Sequence, residues 1–116
     1  MKKLDVIKSH LMKELDMNES EVAVFLALIK AENSTSKEEV LNNLNKSSSE
    51  IIEISKGLEL KGMLIEINKN EFRALHPRFA IVNRYRKICE ANNKEFKKNL
   101  KIDQLAVMIE KYQDSP

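Results

Sequence analysis

The sequence of 116 residues contains one cysteine, two glycines, two prolines and no tryptophan. A lone cysteine excludes an intrachain disulfide and a zinc site built from several cysteines, and it favours a reducing, intracellular setting. The scarcity of glycine and proline argues against an all-β fold, whose turns require these residues. No segment approaches the roughly 18–20 apolar residues of a membrane span. We therefore expect no signal peptide, no membrane partner and a cytoplasmic location.

The residues that are present fit a globular domain with a sizeable core. Apolar residues make up 42% of the chain and charged residues 33%, and a chain of this length can bury roughly two thirds of its unfolded surface. The net charge is only +2, but residues 77–101 carry eight Lys or Arg side chains against two Glu. The basic character therefore belongs to the C-terminal third, as a surface for phosphate groups or as an ordinary solvated helix face.

Hydrophobic spacing and capping signals predict four helices in the first sixty residues. Apolar stripes at helical spacing define the first two, with Leu4, Ile7, Leu11 and Leu15 in one and Val22, Phe25, Leu26 and Ile29 in the other. Capping boxes, in which a side-chain oxygen and an acid three residues later bind free backbone N–H groups, occur at Asn18–Glu21, Ser36–Glu39 and Ser47–Glu50. The last helix covers residues 48–60, and Gly62 suits the left-handed position that follows it.

The apolar period changes from 3.6 to 2 after this glycine. Met63, Ile65 and Ile67 alternate with their neighbours, residues 68–70 predict a turn, and residues 71–75 predict a returning strand. Pro77 suits the first position of another helix. Residues 78–112 contain neither Pro nor Gly, so they form either one long helix or two helices separated near Asn92.

Three helices followed by a hairpin predict a winged helix-turn-helix. The fold class is mainly α with a small β-hairpin, and the helix-turn-helix pair consists of residues 37–44, the turn 45–47 and residues 48–60. We expect a winged helix-turn-helix domain over residues 1–76. We expect residues 77–116 to form a C-terminal helical dimerisation segment, which this fold class gives as a long helix.

Three segments resemble the TrmB family of transcriptional regulators. Residues 15–30 are similar to the opening helix of that family, which typically reads LGLSEYEAKVYLALL. Residues 58–63, Leu-Glu-Leu-Lys-Gly-Met, resemble the passage LEEKGLV that leads into the wing, and residues 72–77 resemble the exit Y-R-A-V-x-P. The resemblance covers about residues 11–90, and MarR-like and ArsR-like regulators share parts of these motifs.

The resemblance implies a DNA-binding transcription regulator of a mostly archaeal family that often dimerises through a helix after the wing. The large sugar-binding domain of full-length TrmB proteins has no counterpart in the sequence, so we expect a short form, and a small-molecule effector stays unknown. The partners implied are double-stranded DNA and a second copy of the chain.

The candidate DNA contacts are hydroxyl and cationic side chains on the turn, the recognition helix and the wing, because such groups bind phosphates and base edges. They are Lys46, Ser47, Ser48, Ser49, Lys56, Lys69 and Arg73. The family's recognition helix commonly begins with a stretch like P-R-S-R-V-Y, whereas residues 47–52 read Ser-Ser-Ser-Glu-Ile-Ile. The loss of both arginines motivates an alternative function, a winged helix that binds another protein and no DNA.

Two apolar stripes within residues 78–112 exceed what a three-helix core and one hairpin can cover. The candidate dimerisation residues are Phe79, Val82, Tyr85, Cys89, Phe96, Ile102, Leu105, Ile109 and Tyr112. These side chains either fold back on the first helix or pair with the same segment of a second chain, and we favour the pair.

Catalytic and metal chemistry finds no support in the sequence. His10 and His76 have no partners at ligand spacing, and Cys89 lies on an apolar stripe, which favours a packing role. The two glycines form no phosphate-binding loop. We expect no enzyme, no cofactor and no metal.

Overall fold

The computed structural model describes residues 2–32 and 37–115, except for the side chains of Lys37 and Glu39. The described elements, in chain order, are α1 (Lys3–Leu15), α2 (Glu19–Ala31), α3 (Lys37–Asn42), α4 (Ser48–Leu60), β1 (Leu64–Asn68), β2 (Glu71–Ala74), α5 (Pro77–Ala91) and α6 (Leu100–Asp114). The expected fold class, mainly α with a small β-hairpin in a winged helix-turn-helix, is confirmed.

The capping signals at the starts of α2 and α4 form as expected. Asn18 Oδ1 accepts from the Glu21 N–H at 2.8 Å, and the Asn18 N–H donates to Glu21 Oε1 at 3.0 Å. Ser47 Oγ accepts from the Glu50 N–H at 3.1 Å, and the acid accepts in return from the Ser47 N–H. Each box satisfies two donors that the first helical turn leaves free. Of the third box, Ser36 lies outside the described residues.

Gly62 ends α4 and directs the chain into the hairpin. Its φ is +83°, in the left-handed region that glycine adopts without strain. Its N–H donates to the Glu59 carbonyl at 2.9 Å, and the Met63 N–H donates to the Leu58 carbonyl at 3.1 Å. These bonds satisfy carbonyls at the helix end, so β1 begins at a defined angle to α4.

α2 forms the centre of the core. Seven of its residues are buried, and they lie on every side of the helix: Val22, Val24, Phe25, Leu26, Ala27, Leu28 and Ile29. They contact α1, α3, α4, β2 and α6. A helix surrounded in this way needs apolar residues beyond a single stripe, which explains the continuous apolar run.

The hairpin buries Leu64 rather than the two isoleucines of β1. Leu64 on β1 and Phe72 and Ala74 on β2 are buried, whereas Ile65 and Ile67 are each 47% exposed. Leu64 pairs with Ala74 across the sheet, and the register shifts between Glu66 and Asn68. Because successive residues of a strand face opposite sides, anchoring Leu64 on the core turns both isoleucines outward.

The segment after the wing consists of two helices rather than one long helix. The second of the two alternatives, a break near Asn92, is therefore the one that the structure has. Asn93 adopts φ +54°, and the Lys94 N–H donates to the Cys89 carbonyl at 2.8 Å, a left-handed helix ending. Asn99 then caps α6, because its Oδ1 accepts from the Lys101 N–H at 3.0 Å. The polar loop between these asparagines reverses the chain.

α6 folds back into the same core. Ile102, Leu105 and Ile109 are at most 2% exposed, and α6 contacts α1, α2 and α5. At its end, Lys30 Nζ donates to the Ser115 carbonyl at 2.6 Å and Gln113 Nε2 donates to the Ile29 carbonyl at 3.2 Å. Residues 77–115 therefore complete the core of the winged helix.

Candidate nucleic-acid interface

The helix-turn-helix pair consists of α3, a tight turn and α4. Asn45 adopts φ +56° within the turn, and the Leu44 N–H donates to the Leu41 carbonyl at 3.1 Å. Asparagine tolerates this left-handed conformation better than most residues. The loop leads directly into Ser47, the N-cap of α4, and the first helical turn of α4 is exposed to solvent.

The three consecutive serines have different environments. The Ser47 hydroxyl is engaged in the capping box with Glu50. Ser48 and Ser49 are exposed in the first turn of α4, where backbone N–H groups and the helix dipole favour an anion. Hydroxyls and backbone N–H groups at such a position can contact a phosphate without arginine.

The two lysines next to this turn differ in availability. Lys46 is half-buried, and its Nζ donates to Ser20 Oγ at 3.2 Å, which ties the turn to the start of α2. Lys56 is exposed on α4, and no described residue forms an ion pair with it. Lys56 is therefore the freer cation of the recognition helix.

The other two candidate cations, Lys69 and Arg73, lie at different places on the wing. Lys69 is exposed at the turn of the hairpin, and the turn is held by the Asn70 N–H, which donates to Glu66 Oε2 at 2.9 Å. Arg73 Nε donates to Glu32 Oε2 at 2.8 Å. The Arg73 charge is thus compensated at the end of α2, away from the turn that carries Lys69.

A cleft joins the start of α4 to the turn of the wing. Its volume is about 350 Å³, and it is lined by Glu38, Leu41, Asn42, Lys46, Ser48, Ile51, Ile52 and Asn70. The cleft brings the predicted Lys46 and Ser48 together, whereas Lys56 and Arg73 lie outside its lining. The sequence does not indicate Asn42 at the end of α3 or Asn70 in the wing turn as lining residues, because an asparagine at a helix end or in a turn has the same local pattern whether or not it faces a cleft.

The charge of the segment from α3 to β2 is nearly balanced. Residues 37–73 contain six Lys or Arg and seven Glu. Lys61 pairs with Glu21 in α2 and Arg73 pairs with Glu32 just after α2, so the charges of two of these cations are compensated. Attraction of phosphates to the helix-turn-helix and wing therefore rests on a few exposed groups.

Two arginines of the basic C-terminal third serve the fold. Arg78 forms an ion pair with Glu110 at 3.2 Å, and that hydrogen bond lowers the pKa of the Glu110 carboxyl and raises the pKa of Arg78. Arg84 Nε donates to the Leu15 carbonyl at 3.0 Å, and its burial lowers its pKa. The Leu15 carbonyl lies at the end of α1, where a cation complements the helix dipole.

The candidate dimerisation residues divide between the core and the surface. Cys89, Ile102, Leu105 and Ile109 are buried within the chain. Val82, Tyr85 and Tyr112 are half-buried, and burial raises the pKa of Tyr112. Phe79 is 68% exposed and Phe96 is 47% exposed, so these two are the members of the set that solvent reaches most.

His76 has a structural role at the start of α5. Within residues 2–32 and 37–115, His, Cys, Asp and Glu side chains form no group able to hold a metal ion. His76 caps α5, since its Nδ1 accepts from the Arg78 N–H at 3.2 Å. The described helices include none long and apolar enough to cross a bilayer.

The geometry agrees with a comparison against protein families. The family model described as "Sugar-specific transcriptional regulator TrmB" matches residues 11–86, which run from α1 through the wing into α5. No curated protein and no solved structure matches the chain.

Proposed function

The chain belongs to the TrmB family of DNA-binding transcriptional regulators, and from this premise we propose that it binds duplex DNA in a sequence-directed manner as a homodimer. Members of the family are transcription regulators rather than enzymes. We include in the same proposal a location in the cytoplasm of an archaeal cell, which the mostly archaeal occurrence of the family supports.

The observation that carries the proposal is the exposed start of α4 beside the turn of the wing. Ser48 lines the cleft that also contains Asn70 of the wing turn, and Lys69 is the next residue along. In helix-turn-helix proteins the second helix lies in the major groove with its N-terminal end against the duplex. We assign Ser48, Ser49 and Lys69 to phosphate contacts and Lys56 to a groove contact.

The direct test is selection of duplexes from a random pool at two salt concentrations, about 50 and 200 mM. We expect enrichment of one sequence, with an affinity that falls steeply as salt rises. A Lys56→Ala variant should relax the selected sequence, whereas Lys3→Ala on α1 is the matched control and should leave it unchanged. Failure of the native chain to bind any duplex at the lower salt would contradict DNA binding.

The dimer is proposed to form through the outer face of the α5–α6 pair, defined by Phe79, Val82, Leu100 and Val107. Phe79 is 68% exposed and Leu100 is 69% exposed. Val82 and Val107 line one groove between the two helices, and Leu100 and Val107 line a second beside it. Exposed apolar side chains grouped on two neighbouring helices favour an interaction site in a protein exposed to water.

Sedimentation of single variants tests this face without damaging the core. Deletion of residues 102–116 is unsuitable, since it would remove Ile102, Leu105 and Ile109 from the core. Phe79→Lys should shift the protein to monomer at tens of micromolar, and Ile67→Lys on the wing is the control that should remain dimeric. A native chain that sediments as a monomer at this concentration would contradict the dimer.

The balanced charge of residues 37–73 favours a second candidate function, a winged helix that binds another protein. Glu50 and Glu53 are exposed on α4, and both would be repelled by phosphates. This candidate predicts no duplex binding at low salt, so the selection described above separates the two functions.

A further inference from the structure

Exposed lysines cluster where α5 ends, the loop reverses and α6 begins. Residues 84–101 contain seven Lys or Arg and two Glu. Arg84 is directed to the Leu15 carbonyl and Arg86 donates to Asn83 Oδ1, which leaves five lysines, all exposed. We refer to these five as the basic end: Lys87, Lys94, Lys97, Lys98 and Lys101.

The backbone that carries the basic end is anchored. The Phe96 ring packs against the Tyr85 ring with centroids 5.9 Å apart. Asn99 Nδ2 donates to the Tyr85 hydroxyl at 3.4 Å, and the Lys94 N–H closes the end of α5 through its bond to the Cys89 carbonyl. The lysines therefore project from a defined loop, which reduces the conformational entropy lost when they bind a partner.

Little within the chain compensates these charges. Lys97 pairs with Glu95 at 3.5 Å in an exposed pair, and no described side chain forms an ion pair with Lys94, Lys98 or Lys101. Lys98 and Lys101 also flank the N-terminus of α6, where the helix dipole is positive and disfavours cations. An anionic partner would compensate the charges of the lysines and their unfavourable interaction with the helix dipole.

The basic end lies apart from the helix-turn-helix cleft. A Cβ atom at Gly62 would be 3.2 Å from Lys87 Cε, so the basic end adjoins the C-terminal end of α4. Ser47 stands at the other end of this helix of 13 residues, about 20 Å away at the usual rise. The basic end and the helix-turn-helix cleft are therefore distinct surfaces.

We propose that the basic end binds the phosphate backbone of duplex DNA without reading its sequence, and that it supplies most of the salt-dependent part of the affinity. This inference rests on the proposed function, because it assumes that the chain acts on DNA. Residues 37–73 have no excess of cations, whereas lysine ammonium groups in a cluster displace counterions from the duplex. The choice of DNA over an anionic bilayer rests on the family to which the chain belongs, whose members bind DNA.

The test compares two triple variants of the full chain. The first changes Lys94, Lys98 and Lys101 to Gln. The control changes Lys2, Lys3 and Lys8 to Gln, and these are exposed lysines with the same total charge at the start of the chain. Affinity for a random-sequence duplex is measured by fluorescence anisotropy over a series of salt concentrations, after circular dichroism has shown that both variants fold.

We expect the slope of log K against log salt to become shallower by about 2 to 3 in the first variant, since each lost phosphate contact removes about 0.9. The control should keep the native slope within about 0.5. Equal slopes in the two variants would overturn the role of the basic end while leaving DNA binding intact. Absence of duplex binding by the native chain would overturn both proposals.

Lysine acetylation followed by mass spectrometry gives a second readout without substitution. Bound duplex should protect Lys94, Lys98 and Lys101 and leave Lys2, Lys3 and Lys8 as reactive as before. Unprotected lysines at the basic end would contradict the proposal. Binding to phosphatidylserine vesicles but not to duplex, lost in the first variant, would assign the surface to membranes and overturn it as well.

Discussion

The two glycines of the chain allow the same substitution to be compared inside α4 and at the junction between α4 and the wing. Gly57 lies inside α4, and a Cβ atom added there meets nothing within 4 Å. Gly62 has φ +83°, and its added Cβ would lie 3.0 Å from Asn83 Cβ and 3.2 Å from Lys87 Cε. Asn83 cannot move freely, because its Nδ2 donates to the Gly62 carbonyl at 3.1 Å. Alanine should therefore have opposite effects at the two positions.

The expected free energies follow from these contacts. At Gly62, the left-handed conformation costs an alanine about 1–2 kcal/mol, and the close approach to Asn83 adds about 1–2 kcal/mol of overpacking. Gly62→Ala should lower the free energy of unfolding by about 2–4 kcal/mol. Gly57→Ala should raise it by about 0.5–1 kcal/mol, because alanine loses less backbone entropy in a helix.

Thermal unfolding followed by circular dichroism measures both effects. With about 4 °C for each kcal/mol in a chain of this size, Tm should fall by about 8–16 °C for Gly62→Ala and rise by about 2–4 °C for Gly57→Ala. A Gly62→Ala protein that melts with the native chain would refute the argument from φ and close contact. A loss of stability in Gly57→Ala would refute the open space at that position.

Three further predictions concern the wing, the core and the ion pair between Arg78 on α5 and Glu110 on α6. Lys69→Ala should weaken all duplexes about equally and reduce the salt slope by about 1, and an unchanged slope would mean that the wing turn does not touch DNA. Ile109→Ala should destabilise the chain by about 2–5 kcal/mol in urea unfolding, because Ile109 is fully buried. The control Met12→Ala, at an exposed position, should change stability by less than about 1 kcal/mol. Equal effects of the two substitutions would contradict the packing of α6 into the core. The pKa of Glu110 is lowered in the folded state by its hydrogen bond from Arg78, so its ionised form stabilises the fold above the ordinary glutamate pKa and this stabilisation is lost as pH falls through the lowered pKa. Native chain and Glu110→Gln should therefore differ in Tm at neutral pH and converge in the acid range, and a constant difference would contradict the assignment.

Several parts of the fold are determined by residues close together in the chain. The capping boxes at Asn18 and Ser47 need only residues three positions apart, and both form as expected. Gly62 ends α4 and Pro77 begins α5 for equally local reasons, a positive φ and a missing N–H. The order of helices and hairpin, and with it the helix-turn-helix, could therefore be predicted from the sequence.

The candidate site was predictable only in part. The exposure of Ser48 and Ser49 follows from their position in a capped first turn, and that of Lys69 from the hairpin turn. The pairing of Arg73 with Glu32 and the bond from Lys46 to Ser20 join residues 41 and 26 positions apart. Such distant partners have no local pattern, so the sequence could not indicate which cations remain available to DNA.

Tertiary structure decides three further features. They are the face of β1 that is buried, the surface that covers the C-terminal apolar stripe, and the position of the basic end. Ile65 could face the core or solvent by alternation alone, and the packing of Leu64 against the core decides it. Ile102, Leu105 and Ile109 form the same stripe whether they meet a second chain or α1, and the reversal at Asn93 brings them back to α1. Helix periods and caps arise from contacts within about four residues, whereas the partner of an apolar face is chosen by which surfaces the whole chain brings together.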